Sequence, residues 1–340
     1  MVLEHLFPEN WLEKKVRYAF IIAFVYSCLG IMAARLLFGA NSGIGSIVFA
    51  SLLILPYLKK LFEREERREK HEIRFSIREL WKDNRVAIKV YLGIFLGIFL
   101  TYALYSFLLP QMGLNTFSLL KEQLFVDQAL RGHAFDFGTC LSILTNNWWV
   151  LLACFLLALF TGDGAIFFIA WNASAWGTLF GYRAVTAAAI SGANPWWYLL
   201  LVIVITFPHM ILEGGAYILA AISGSIISDD IIEKSKEIRA FLWYAVGGTA
   251  LFLAFYFFYK NVIGATSSIT FSLLSIVIIT GMIHFIGRLF KDKKHKEAFI
   301  YNYNLFIIAL VVFAIGALVE TFVLNYSQTL NTIYWYSAIF

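Results

Sequence analysis

Charged side chains are scarce in this chain. Only 14% of its 340 residues are Asp, Glu, Lys or Arg, while 60% are hydrophobic and the mean hydropathy is +0.74. A soluble globular fold cannot hide that much apolar surface, so the composition excludes one and points to a lipid bilayer as solvent. Cysteine is sparse as well: Cys28, Cys140 and Cys154 have no metal-ligand spacing, which leaves them as small packing residues. Catalytic signatures are missing, with no phosphate loop, no His-Glu-x-x-His pair and no Gly-x-Ser-x-Gly elbow. Asp163 sits in a Thr-Gly-Asp-Gly turn and has no second membrane-embedded Asp, which excludes an intramembrane aspartyl protease. No enzyme class and no cofactor is indicated. A removable signal peptide is not expected, because the first sixteen residues include Glu4, Glu9, Glu13 and Lys14 and no small-residue cleavage site follows the first apolar run.

What is present is a series of long apolar runs. A helix needs roughly 20 apolar residues to cross the hydrocarbon core, and nine segments approach this: 17–38, 43–58, 90–109, 148–161, 164–182, 196–227, 241–259, 268–287 and 302–325. The expected fold is an all-α polytopic membrane protein of about nine transmembrane helices. Lys and Arg in short loops mark the cytoplasmic side. The 59–89 loop holds eleven of them and the 288–300 loop five, against Lys121 and Arg131 alone in 110–147. Nine spans put both basic loops inside, the N-terminus in and the C-terminus out. This placement also accounts for the net charge of +5 without a nucleic-acid partner.

The run Lys59–Arg85 alternates acidic and basic residues and suits a solvated helix. It divides the chain into a two-helix N-terminal membrane module with a charged cytoplasmic linker, 1–89, and a main membrane domain, 90–340. An amphipathic helix is expected over Phe117–Leu130, lying on the membrane surface or capping the bundle.

Ionisable groups in lipid cost on the order of 2.5–3.5 kcal/mol even on lenient insertion scales, so each needs a reason. In the sixth span, His209 and Glu213 are four residues apart and share one helical face. Pro208 removes a backbone donor there, and Gly214 and Gly215 weaken the next turn, so a break or kink is expected near Pro208. Such a break would expose backbone groups at the depth where transporters bind substrate. Whether the pair binds a metal is left open by these residues. Further polar candidates are Asn146 and Asn147 at the outer start of the fourth span, Asn172 in the fifth and Glu320 in the ninth. By a rise of about 1.5 Å per residue, His209 lies about 20 Å from the outer end of its span and Glu320 about 8 Å. Depth therefore favours Asn172 as the partner. Gly177 and Gly181 form a Gly-x-x-x-Gly pair that signals close helix packing.

Together these residues resemble the stage II sporulation protein M family. The resemblance rests on Asn146-Asn147 opening a span, Asn172 with Gly177, Pro208-His209-x-x-x-Glu213 with Ala216 and Gly224, and a last helix ending Leu318-Val319-Glu320-Thr321-Phe322. It covers roughly residues 90–325. The family pattern has Gly after the His and Pro soon after the final Phe, where this chain has Met210 and Val323. The resemblance implies a multi-pass membrane protein. The family's sporulation member is a membrane scaffold with peptidoglycan-degrading partners, while most relatives occur in organisms that do not sporulate. The leading expectation is thus a scaffold in the cell membrane organising an envelope or membrane complex, with membrane or envelope proteins or a second copy as partners. The alternative is a transporter or exporter component using the broken helix as its substrate or proton site.

Overall fold

In lipid a backbone amide has no water to bond, so an apolar run folds by closing its hydrogen bonds within itself. The computed structural model describes residues 16–39, 42–68, 77–111, 137–162, 164–227 and 293–327, and seven helices fill them. These are α1 (Val16–Phe38), α2 (Gly43–Arg68), α3 (Ile77–Gln111), α4 (Phe137–Thr161), α5 (Ile166–Ser191), α6 (Pro195–Ile227) and α7 (Lys293–Tyr326). No strand occurs among the described residues. Four stretches are long and apolar enough to cross a membrane, Arg17–Phe38, Asn84–Leu109, Pro195–Ser225 and Phe299–Leu324, whereas Gly43–Lys59 and Ile143–Leu159 are shorter apolar helices. The expected spans 241–259 and 268–287 and the expected surface helix 117–130 lie outside the described residues.

Helix α5 lies within the described bundle. It packs against α3 and α6 and touches α2 and α4, while α1 lies on α2 and α3, and both α4 and α7 pack on α6. Small residues make this burial feasible. A Cβ on Gly177 would stand 2.3 Å from the Phe99 carbonyl oxygen, and one on Gly181 2.4 Å from that of Ala103, so α3 and α5 touch backbone to backbone. Gly224 does the same for α6 against α4, its Cβ position being 2.3 Å from the Phe155 oxygen. Aromatic edges fill the remaining space, with Phe99 against Phe180 at 5.8 Å and Phe155 against Phe306 at 4.3 Å. A single apolar core runs from Ala19 in α1 to Leu324 in α7.

Short polar contacts set the register of the first three helices. The Tyr26 and Tyr57 hydroxyls pair at 2.9 Å between α1 and α2, and those of Ser46 and Tyr102 at 2.7 Å between α2 and α3. The α5–α6 turn is set by local chemistry. Gly192 takes φ 70 and closes α5 onto the Ala188 carbonyl. Asn194 then accepts the Trp196 N–H at 2.9 Å as an N-cap, with Pro195 at the first helical position.

One expectation needs correction. Helix α6 is not broken near Pro208: it is one 33-residue helix with the proline inside. Pro208 stands on its exposed face, so the missing hydrogen bond lies away from the core. The glycine turn is supported from outside, since Gly214 meets the Phe95 ring of α3 and Gly316 of α7 lies against Leu212 and Glu213. Glycine's helix penalty comes from backbone freedom in water, and that freedom is absent where the bilayer and two neighbours enclose the chain. Asn146 and Asn147 stand in the first turn of the apolar stretch Ile143–Leu159, but the helix itself starts earlier. Helix α4 begins at Phe137, which places them about two and a half turns inside it.

Bulk added at the α3–α5 contact has nowhere to go. Gly177→Val and Gly181→Val should each lower stability by about 1–3 kcal/mol, read as a fall in the thermal unfolding midpoint in detergent. Gly215→Ala, whose added Cβ would meet nothing within 4 Å among the described residues, should not lower it.

Candidate functional site

Spacing builds the first layer of the site. His209, Glu213 and Tyr217 recur every four residues along α6 and stand one above another on a single face. That face is turned inward, the three being 6%, 1% and 1% exposed. Helix α4 brings Asn147 to it, and its Nδ2 donates to Oε1 of Glu213 at 2.9 Å. Asn147 in turn accepts through Oδ1 from Nδ2 of Asn146 at 3.3 Å, so the string of amides begins at an exposed residue.

Helix α7 supplies the second carboxyl. Glu320 lies close enough to Glu213 for the two carboxyls to interact, and within electrostatic reach of His209 and Tyr217. Gly316 makes this approach feasible. It stands one turn before Glu320 on the same face, and a Cβ there would be 3.1 Å from Cγ of Glu213. Helix α5 closes the side with Trp176, edge-on to His209 at 6.2 Å and itself edge-on to Phe95 of α3 at 5.8 Å. Around the carboxyl pair, Nδ1 of His209, the Tyr217 hydroxyl and Oε2 of Glu320 are buried with no hydrogen-bond partner among the described residues. No three His, Cys, Asp or Glu side chains converge as a metal centre among those residues.

The structure therefore brings together His209, Glu213, Glu320, Asn147 and, through Asn147, Asn146. It leaves Asn172 apart: the Asn172 Nδ2 donates to the Phe168 carbonyl of its own helix at 2.8 Å. The depth argument that favoured Asn172 over Glu320 fails although α7 ends, at Tyr326, within one residue of the expected run: Gly316 of α7 packs against Leu212 and Glu213, which brings Glu320 level with the cluster whatever its distance from the helix end. Gly177, Gly181 and Gly224 serve helix contacts, and Pro208 with Gly215 lies away from the cluster's contacts.

Sequence reasoning missed four residues here. Tyr217 continues the spacing of His209 and Glu213, and Gly316 precedes Glu320 by the same interval, so both carried a periodic signal. Trp176 carried none. Arg183, 5% exposed on α5, is an ionisable residue within an apolar helix that the same cost argument should have singled out.

Asn147 and Asn172 make a controlled comparison. Asn147→Ala removes a donor from a buried carboxyl and should cost about 1–3 kcal/mol, measured by thermal or denaturant unfolding in detergent. Asn172→Ala removes only a bond within one helix and should cost clearly less. Equal effects would mean that the Asn147–Glu213 contact contributes nothing special.

Compared with known proteins, the chain matches the family model described as Stage II sporulation protein M over residues 90–258. No curated protein and no solved structure matches it. The matched range takes in Asn147, Asn172, His209 and Glu213, and it ends before Glu320. Within that range the described helices carry the buried His-Glu face and its Asn partner, and this segment of the chain belongs to the stage II sporulation protein M family.

Proposed function

We propose that this protein is a membrane scaffold that organises an envelope or membrane complex, and that its polar cluster is the clamp holding α4, α6 and α7 in register. The observation that carries this reading is the placement of Glu213, 1% exposed and held between Asn147 of α4 and Glu320 of α7. Removing one partner from a buried polar network leaves the others uncompensated, which makes such a clamp selective for one helix arrangement. The transport reading rested on a discontinuous sixth helix, and the continuous α6 withdraws that support.

In this proposal the chain crosses the membrane nine times, with the 59–89 and 288–300 loops cytoplasmic and residue 340 external, on the strength of the Lys and Arg distribution. In a variant with Cys28, Cys140 and Cys154 replaced by Ala, Phe75→Cys should react with a membrane-impermeant maleimide only after the cells are opened. Reaction in intact cells would reverse the orientation.

The scaffold role predicts company. Crosslinking in intact cells, followed by purification of the tagged full-length chain, should recover envelope or membrane proteins, or a second copy, in stoichiometric amount. Glu213→Gln and His209→Ala should lower that recovery and the thermal midpoint in detergent together. A chain that remains a solitary monomer under crosslinking would overturn the role.

A further inference from the structure

Two carboxyls from different helices meet at the centre of the cluster, and their chemistry restricts what can hold them there. Ionised carboxylates repel each other and only accept hydrogen bonds, so Glu213, 1% exposed, and Glu320, brought beside it by the close approach of Gly316, need a hydrogen or a cation between them. The surroundings offer little to replace it. On α6 the facing groups are His209 and Tyr217; α4 contributes the neutral Asn147 and Cys154, the latter facing Tyr217. Helix α3 presents the Phe95 ring, and α5 presents Trp176, with Arg183 seven residues, about two turns, further along that helix. Asn147 donates one hydrogen bond, to Glu213.

A second observation points to the same vacant role for a hydrogen. His209 and Tyr217 are each more than nine-tenths buried, face the carboxyl pair, and keep Nδ1 and the hydroxyl without a partner among the described residues, as does Oε2 of Glu320. Buried polar atoms seldom stay unpaired, and a neutral imidazole or a phenol can either give or receive a proton. The half-buried Asn147 and the exposed Asn146 line a polar way from this cluster to the surface of the described helices.

We propose that Glu213 and Glu320 form an exchangeable proton-binding site that holds one proton, reached from outside along Asn146 and Asn147. On binding, one O–H bond forms on a carboxylate oxygen and the charge of the pair goes from two negative to one. Nothing is oxidised or reduced. The site stands whether or not the chain is a scaffold, because its readout needs no partner.

Infrared spectroscopy of the full-length protein in lipid bilayers at neutral pH tests it directly. The wild type should show a protonated-carboxyl C=O band that is missing from the Glu213→Gln, Glu320→Gln double variant and that moves to lower frequency in D2O. Should the double variant fail to fold, Glu320→Asp keeps a carboxyl and should shift the band rather than abolish it. Absence of the band in the wild type overturns the proposal, as does a band indifferent to both variants. A band that appears only after treatment with a chelator would mean that a cation, not a proton, joins the carboxyls. A band unchanged by prolonged D2O exposure would overturn exchangeability.

Discussion

The constraint on which this structure depends is that a buried polar group in lipid must find its partner inside the protein. Glu213 meets it with three helices at once: its own α6, the amide of Asn147 from α4 and the carboxyl of Glu320 from α7. Much of the bundle's arrangement follows. Helices α4 and α7 both pack on α6, α4 meeting it backbone to backbone at Gly224 and α7 bringing Gly316 against Leu212 and Glu213 themselves. The Ser223 hydroxyl adds a second cross-link, donating to the Asn302 carbonyl of α7 at 2.6 Å.

Helix identity was legible in the sequence because hydropathy reports the solvent, and in a bilayer solvent dictates secondary structure. Each of the seven described helices overlaps an expected apolar run, and four of them hold a stretch long and apolar enough to cross a membrane. Ends and breaks were less legible. The apolar run 148–161 understated α4, which starts at Phe137, because polar Asn146 and Asn147 interrupt the hydropathy without interrupting the helix. Pro208 suggested a break that is absent because it stands on the exposed face of α6, where one missing hydrogen bond leaves the packed face continuous.

The site was legible in part. Spacing of four identified the His209–Glu213 face, since one helix carries both residues. Partners on other helices are a matter of tertiary packing, and depth along the membrane is a poor guide to it when helix ends are unknown. Hence Glu320, not Asn172, meets Glu213, and Asn172 turns back to the Phe168 carbonyl. Arg183 is instructive differently. It is a cation 5% exposed amid alanine and glycine on α5, and its neighbours in sequence advertise close packing rather than charge.

Gly316 has no functional group, yet it decides how far apart two functional groups sit. With Cγ of Glu213 only 3.1 Å from where its Cβ would be, an alanine there requires α7 or the Glu213 side chain to give by a few tenths of an ångström. Either movement lengthens the gap to Glu320 one turn along. A carboxyl pair tolerates little widening, because a shared hydrogen spans only about 2.5–3.0 Å between oxygens. The contribution of this position is geometric: a missing methyl group sets the gauge of the site.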